Sequence, residues 1–400
     1  MNLRCLCAAL SLGCVLSSIV VNAEQQPNTN QTYKQLRNLL PGGVPVTVSN
    51  LVLKRDAATF TFARGEFAFF GEVNGKITGA VFEGTGHFHL TPPTAFEKHS
   101  LEILTKHSEF DEDFTQVVLR FTDGTAEELR KAGSAGSAPA DASFVRAAIE
   151  FHTFQREHLH DNIDLRLLED VLSPAQGGYF LAAIKGAGNP HTLFEIDPHG
   201  ASDVAPEEVA LRTWNDWGWT YPAAFHLGPE YANGKASSRE QNSAFKVDHE
   251  DLDTTIEKSG FLSGLATVHL QALADGVSVI PLELFSTLRV SKVEDEHGEA
   301  LDFVQEKKED DPDFGLVLAH PLKKGETAVV QITYGGKDAV RNVGNDNYDP
   351  VARESWFPNG GVGLGSYATY TMRFHTPKEI QLIATGTKLH DSVDGRIRTT

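Results

Sequence analysis

Cysteine is almost absent from this sequence. Its 400 residues include three cysteines, Cys5, Cys7 and Cys14, and all three lie within the first 14 residues. We interpret the segment 1–23 as a signal peptide, whose removal leaves a chain without any thiol. The mature chain can therefore form no disulfide and use no cysteine chemistry, so its stability must come from packing.

Long hydrophobic runs are also missing, apart from one near the N-terminus. Apolar or small residues extend from Leu6 to Val21, and Val21-Asn22-Ala23 has the small-x-small pattern of a signal peptidase site. Serines interrupt the run, which is shorter than the roughly 20 apolar residues of a membrane anchor. We predict a signal peptide at 1–23, export to the periplasm or the extracellular space, and no membrane span in the mature chain. A lipoprotein signal ending at Cys14 is the weaker alternative, because Ser11 stands where such signals carry a bulky aliphatic residue.

Positive charge is scarce as well. The sequence has 35 lysines and arginines against 54 aspartates and glutamates, which gives a formal net charge of -19. The basic residues are scattered along the chain rather than concentrated in a patch. A surface of this kind repels phosphates, so the composition predicts no nucleic-acid partner.

The remaining sequence has the composition of folded protein, with 40% hydrophobic and 22% charged residues. Short β-branched and aromatic runs separated by turn residues predict a fold that is mainly β with some α. We expect a mixed, β-rich domain of unclear role at 24–235 and an all-β antiparallel sandwich or open sheet at 236–400. The tryptophan- and glycine-rich passage 214–234 is interpreted as the junction between them, followed by a polar linker at 235–242.

One short stretch, His249-Glu250-Asp251-Leu252-Asp253, begins like the zinc-binding signature H-E-x-x-H of metallopeptidases. The second histidine is missing, because Asp253 stands in its place. The surrounding residues alternate with strand periodicity, and on a strand His249 and Asp253 share one face while Glu250 points the other way. We therefore predict no zinc site here and no catalytic residues within the chain.

His87 and His89 are the candidate metal ligands of the sequence. They are separated by one residue in a predicted strand, so that their imidazoles project side by side and could bind one ion. The sequence identifies no third ligand, and the alternative is the polar face of a half-buried strand. The acidic run 109–113 lacks the spacing of a calcium-binding loop and is interpreted as a solvated turn.

Aromatic residues are concentrated in one passage, which contains Trp214, Trp217, Trp219, Tyr221 and Phe225. Exposed aromatic side chains at this density can stack on sugar rings or form a protein interface. This pattern favours a self-contained exported binding module for glycan or protein as an alternative function. Packing at the domain boundary would account for the same residues without any ligand.

The second half resembles a known family through several short motifs. They are Asp253-Thr-Thr-Ile-Glu257, Leu262-Ser-Gly-Leu-Ala266, Ala352-Arg353 ahead of Phe357-Pro358, and a predicted strand 381–385 that runs into Ala384-Thr385-Gly386. This region is similar to the non-catalytic N-terminal β-domain of aminopeptidase N-type zinc metallopeptidases, also called membrane alanyl aminopeptidases. The resemblance extends from about Ala244 to the end of the sequence.

The resemblance implies that the catalytic residues belong to polypeptide outside this sequence. In the family the G-x-M-E-N substrate loop and the zinc-binding helix follow the β-domain, and here the only methionines are Met1 and Met372. We therefore expect no cofactor within this chain, zinc in a separate catalytic domain, and peptide substrates bound through that domain. The last residues, 395–400, look like a strand without a partner, for which we expect a continuation.

The resemblance also implies a substrate-binding site. The family places a glutamine or glutamate before its alanine-arginine pair, where it helps to hold the free amino group of the substrate. The nearest residues here are Asn347 and Asp349, ahead of Arg353, and a carboxylate such as Asp349 attracts an ammonium group.

Overall fold

The computed structural model describes residues 30–159, 161–175, 177–215, 217–237, 243–309, 314–351, 355–360 and 367–400. The predicted signal peptide, Arg353 and most of the polar linker lie outside these ranges. The fold is mainly β with some α, as predicted. Within the described ranges, no helix has both the length and the apolar character that crossing a membrane requires.

In the first half, the described residues form six helices and eleven strands. The helices are α1 Gln31–Arg37, α2 Ala95–Thr105, α3 Thr125–Ala132, α4 Ala142–Phe154, α5 Ile163–Leu172 and α6 Gly228–Ala232, with a π-helical turn at Gln155–Leu159. The strands are β1 Val46–Arg55, β2 Ala58–Phe69, β3 Glu72–Val73, β4 Lys76–Ile77, β5 Gly79–Leu90, β6 Phe110–Phe121, β7 Ser134–Ala135, β8 Phe180–Gly186, β9 Thr192–Ile196, β10 Val209–Asn215 and β11 Gly218–Phe225.

Nine of these strands form one antiparallel sheet in the order β11-β10-β9-β8-β6-β5-β2-β1-β7. Neighbours in space are mostly neighbours in sequence, so the sheet is a long meander. Register shifts occur at adjacent positions of β2, β5 and β6, and such bulges increase the local twist and bend a sheet. Gly86 lies at one of these bulges. A larger residue does not fit at this position, because a Cβ would lie 2.4 Å from the Phe114 ring.

The two faces of this sheet have different cores. Phenylalanines from six strands fill one face, and Phe60, Phe62 and Phe88 are fully buried there. Smaller residues such as Val81 and Val118 line the other face and pack against α1, α4 and α5. Alternation of these residue sets along each strand is what commits the sequence to a two-sided sheet.

The second half is built from strands. They are β12 Phe245–Ile256, β13 Leu262–Ala272, β14 Val277–Leu282, β15 Leu288–Asp295, β16 Asp302–Gln305, β17 Phe314–Leu322, β18 Thr327–Gly336, β19 Val340–Gly344, β20 Asn347–Pro350, β21 Thr369–Pro377, β22 Ser392–Asp394 and β23 Ile397–Thr399. A seven-stranded sheet, ordered β15-β18-β13-β12-β21-β23-β22, shares one apolar core with the three-stranded sheet β14-β17-β16. This arrangement is the predicted sandwich, and its strands are antiparallel except for β12 and β21.

The two halves are in contact. Val279, Val304 and Val317 of the sandwich belong to the same apolar cluster as α4 and α5. The hydroxyl of Tyr33 donates to Glu306 Oε1 at 2.9 Å, which joins α1 to the loop after β16. The nine-stranded sheet ends at Phe225 and the sandwich begins at Phe245, while the proposed boundary between residues 235 and 236 stays a prediction.

Three local predictions were wrong. The passage 214–234 is not simply a junction between the two halves, because residues 218–225 form β11 and pair with β10 in the nine-stranded sheet. Residues 381–385 form no strand, and four of the five are exposed. The final residues are not an unpaired strand, because β23 pairs with both β21 and β22.

Candidate functional site

A group of histidines and aspartates lies on the exposed face of β5 and β6. His87 and His89 flank the buried Phe88 on β5, opposite Asp113 and Asp111 on β6. Because side chains alternate across a strand, these four polar side chains share the face opposite the phenylalanine core. We refer to His87, His89, Asp111 and Asp113 as the His–Asp cluster.

Asp111 connects the two imidazoles of the cluster. Its Oδ1 lies 3.0 Å from His87 Nε2 and 2.8 Å from His89 Nδ1. The other nitrogen of His87, Nδ1, lies 2.8 Å from Asp113 Oδ1. The pKa of His87 is raised mainly by this hydrogen bond, and burial opposes the rise without cancelling it. His89 Nε2 lies 3.0 Å from the hydroxyl of Thr91.

Asp111 is the third candidate ligand that the sequence did not identify. His87, His89 and Asp111 each offer one ligand atom, and these atoms lie within 4.8 Å of one another. The interpretation of residues 109–113 as a solvated turn was wrong, because β6 begins at Phe110. The sequence feature that indicates a strand here is the alternation of apolar and acidic residues. In the structure Phe110 and Phe114 are buried, while Asp111 and Asp113 are exposed.

The stretch that resembles H-E-x-x-H lies on a strand, as predicted. His249 and Asp253 are on the partly exposed face of β12, and Glu250 points into the sandwich. His249 contacts Thr369 on β21, with 2.7 Å between Nδ1 and Oγ1. The Glu250 carboxylate accepts no hydrogen bond from any described residue. The three side chains therefore do not converge on one ion.

The predicted substrate-binding residues lie on a small exposed hairpin. Asn347 and Asp349 belong to β20, where Asp349 is opposite Arg341 on β19. The Asn347 side-chain amide donates to the carbonyl of Gly344 at 3.0 Å. Arg353 lies outside the described residues, so its relation to this hairpin is not defined. The role of the three residues in binding a substrate amino group stays a prediction.

Exposed apolar side chains are concentrated in the region that follows β18. Ile383 is 93% exposed and Leu389 is 90% exposed, in a segment without regular secondary structure. Val343 in β19 and Tyr367 ahead of β21 are exposed as well. We refer to these four residues as the C-terminal apolar surface. The four residues lie in the same part of the sequence, and contiguous exposed apolar patches are characteristic of surfaces that other polypeptides cover.

The aromatic residues of the passage 214–225 do not form a single surface. Phe225 is buried in the phenylalanine core, and the Tyr221 hydroxyl donates to Asp203 at 2.6 Å. Trp214 and Trp219 are in edge contact, 5.3 Å between ring centroids, and are only partly exposed. Trp217, at the tip of the β10–β11 hairpin, is 97% exposed. Packing accounts for all of these residues except Trp217.

Trp214 and Trp219 pack against the end of α4 and the loop ahead of β9. Phe154 stacks on His191 with 4.1 Å between centroids, and both tryptophans meet Phe154 edge-on. The Trp219 indole donates to the carbonyl of His158 at 2.7 Å. These contacts hold the β10–β11 hairpin against the helical layer.

A polar cleft of about 250 Å³ lies where α5 and β9 meet the start of the sandwich. Arg166 donates to Asp197 on its wall, with 2.6 Å between Nε and Oδ2. Burial raises the pKa of Glu195, which also lines the cleft, to about 7, although Arg212 donates to it at 2.5 Å. Raised carboxyl pKa values occur in functional sites and in structural ion networks alike. Here each of these charges has a protein partner, which favours the structural role.

No protein-family model and no curated protein matches the chain. Solved structures of zinc metallopeptidases are similar to part of it. They include an M1 zinc metallopeptidase from Deinococcus radiodurans and a mutant of that enzyme bound to a Tyr-Ser-Ala substrate, each 23% identical, with a TM-score of 0.30, over 39% of this chain and 38% of theirs. A mutant two-domain M1 zinc metallopeptidase bound to L-arginine is 23% identical, with a TM-score of 0.31, over 40% of both chains.

The chain thus spans well under half the length of these solved proteins. At this identity and TM-score, the similarity does not assign an activity to it.

Proposed function

We propose that this chain is the non-catalytic N-terminal region of an exported, aminopeptidase N-like zinc metallopeptidase, whose parent activity removes N-terminal residues from peptides. The observation that carries the proposal is that two of the family-like motifs fall on paired strands of the sandwich. Residues 253–256 end β12, Glu257 follows this strand, and residues 262–266 begin β13, the strand paired with β12. Phe357, ahead of Pro358, packs against Tyr370 of β21 at 5.7 Å between centroids.

The C-terminal apolar surface supports a docking role for this unit. Its occupant in the proposal is the zinc-peptidase domain of the same protein. Fully exposing side chains such as Ile383 and Leu389 is unfavourable, at roughly 25 cal/mol per Å² of apolar surface. Covering them with a second domain removes this cost. The hairpin that carries Asn347 and Asp349 lies in the same part of the sequence, so Asp349 would add a carboxylate for the substrate ammonium group.

The zinc chemistry belongs, in this proposal, to the catalytic domain. Removal of an N-terminal residue by zinc-activated water needs two or three protein ligands and a general base around one ion. The stretch at 249–253 does not provide them, because Glu250 and the pair His249 and Asp253 face opposite sides of β12. We expect the present chain alone to have no aminopeptidase activity.

The test compares two proteins. The first is the 400-residue chain, and the second is the same chain extended by the polypeptide that its gene encodes beyond Thr400. Both are assayed with a chromogenic alanine substrate, with and without a chelator. We expect chelator-sensitive turnover from the extended protein only. Robust chelator-sensitive turnover from the 400-residue chain, or a gene that ends at Thr400, would contradict the proposal.

The alternative function is a self-contained exported module that binds glycan or protein. The observation that favours it is the near-complete exposure of Trp217 at a hairpin tip. An exposed indole offers an apolar face to a sugar ring. Screening the chain and its Trp217→Ala variant on a glycan array tests this alternative: binding by the chain that the variant loses supports it, and no binding by either eliminates the glycan version.

A further inference from the structure

We propose that the His–Asp cluster is a binding site for one divalent transition-metal ion, with zinc as the reference ion and His87, His89 and Asp111 as its protein ligands. This site lies on the nine-stranded sheet, outside the region that resembles the peptidase family. It is independent of the zinc expected in the catalytic domain, and it adds a third ligand to the candidate pair His87 and His89 in a chain expected to hold no cofactor.

The donor set and its geometry suit such an ion. Two imidazoles and one carboxylate are ligands that zinc commonly takes, with water completing the coordination. In a tetrahedral site with bonds of about 2.0–2.2 Å, the ligand atoms are roughly 3.3 Å apart. Here Asp111 Oδ1 lies 3.0 Å and 2.8 Å from the two facing imidazole nitrogens. All three ligand atoms lie within 4.8 Å of one another, so rotation of the side chains can bring them to the separations of a bound ion.

The outer nitrogens of both imidazoles already have partners, which is the strongest argument for a metal site. Metal-binding histidines typically donate their second N–H to a carboxylate, a carbonyl or another oxygen, which fixes the ring and its tautomer. Asp113 Oδ1 takes this place for His87 at 2.8 Å, and the Thr91 hydroxyl lies 3.0 Å from His89 Nε2. One nitrogen of each ring is thus left to face Asp111.

The backbone holds the cluster in register. His87 is paired with Asp113 and His89 with Asp111 across β5 and β6, in the middle of a nine-stranded sheet. The buried Phe88 anchors the strand between the two histidines. A site on such a framework loses little conformational entropy when it binds an ion.

A simpler account of the same contacts is a set of surface ion pairs without a metal. Its prediction differs from ours, because exposed ion pairs have no saturable affinity for zinc. A second exposed cluster provides the matched control: His269 Nε2 lies 3.4 Å from Asp251 Oδ2, and the neighbouring ring of His249 is 5.5 Å away.

The experiment uses the full chain after removal of metal with a chelator. Zinc chloride is titrated by calorimetry at pH 7.5, and cobalt(II) chloride is titrated in parallel to record the visible absorption of a bound, low-coordinate ion. The variants are His89→Gln and Asp111→Asn for the ligands, Asp113→Asn for the outer partner, and His269→Gln for the control. Circular dichroism checks that each variant is folded.

We expect one saturable zinc site in the chain and in His269→Gln. Asp113→Asn should bind about 10–100-fold more weakly, as is typical when such an outer partner is lost. His89→Gln and Asp111→Asn should lose more affinity than that, together with the cobalt absorption. Absence of saturable binding in the chain, or binding that survives both ligand substitutions and is lost in His269→Gln, would overturn the proposal. None of these readouts depends on peptidase activity.

Discussion

Glu250 and Val268 lie directly opposite each other on β12 and β13, and both side chains are fully buried in the sandwich. The carboxylate oxygens of Glu250 accept no hydrogen bond within the part of the chain that the structure describes. Desolvation by burial raises the pKa of Glu250 to about 8. Glu250 is therefore neutral in the folded protein at pH 7, whereas it is ionised in the unfolded chain.

Glu250→Gln should stabilise the protein at neutral and alkaline pH. The pKa of Glu250 is higher in the folded state, so its contribution to stability is complete below the unfolded pKa of about 4.3 and is lost as the pH rises towards 8. Glutamine has nearly the same shape but does not ionise, so it avoids the cost of burying a charge. We expect the free energy of unfolding of Glu250→Gln to be higher by about 1–3 kcal/mol at pH 8, and the difference to disappear near pH 4.5.

Urea unfolding between pH 4.5 and 8.5 measures this difference. Asp251→Asn serves as the control, because Asp251 is the partly exposed neighbour on the same strand. Parallel stability curves for the chain and Glu250→Gln would show that the carboxyl group is ionised inside the fold or has a partner.

Asp164→Ala should be strongly destabilising. Arg120 Nη2 donates to Asp164 Oδ1 at 2.7 Å, and the two side chains are 0% and 1% exposed. Arg37 of α1 donates to the other carboxylate oxygen at 3.2 Å. Removing the carboxylate leaves the Arg120 charge buried without compensation, for which a loss of about 3–5 kcal/mol is typical.

The matched control is Asp253→Ala, which removes an exposed pair with Arg373 at 3.2 Å. Such pairs contribute about 0–1 kcal/mol. Urea unfolding at pH 7 compares the two variants. Equal, small losses would mean that solvent reaches Arg120 once Asp164 is gone.

Much of this fold could be predicted from local patterns. Alternation predicted that residues 249–253 belong to a strand, with Glu250 opposite His249 and Asp253, because side-chain direction depends only on the backbone period. The strand β11 was missed, because the tryptophans and glycines of the passage 214–234 resemble a junction between domains. It forms a strand through pairing with β10 and through the contact of Trp219 with His158, neither of which the local sequence shows.

The candidate metal site was predictable only in part. His87 and His89 were visible because they are two residues apart on one strand. Asp111 is 22 residues beyond His89, and its position depends on the register of β5 against β6. That register depends on the connection between β5 and β6, which contains α2, and on buried residues such as Phe88 and Phe110. No motif of fixed spacing therefore reveals it.

Two of the three tryptophans of the β10–β11 hairpin, Trp217 and Trp219, should differ sharply in their importance for stability. Trp219→Ala removes packing against Phe154 and Trp214 and a hydrogen bond to the His158 carbonyl, and we expect a loss of about 1–3 kcal/mol. Trp217→Ala should change stability by about 0.5 kcal/mol or less, because the side chain is almost fully exposed. Thermal unfolding of both variants measures the contrast, and similar losses would place Trp217 in a contact that the structure does not show.

The C-terminal apolar surface should contribute little to the stability of this chain, and in the unmodified chain it should bind apolar probes. Ile383 and Leu389 are more than 89% exposed, so the double variant Ile383→Ser, Leu389→Ser should unfold within about 0.5 kcal/mol of the unmodified chain. The same variant should bind less of an environment-sensitive apolar dye, because it lacks part of the grouped apolar surface. Phe96→Ser is the control, since Phe96 is 78% exposed on α2, far along the sequence from this surface. A double variant that loses several kcal/mol of stability would show that the two side chains are buried within this chain, which would remove the surface on which the docking proposal depends.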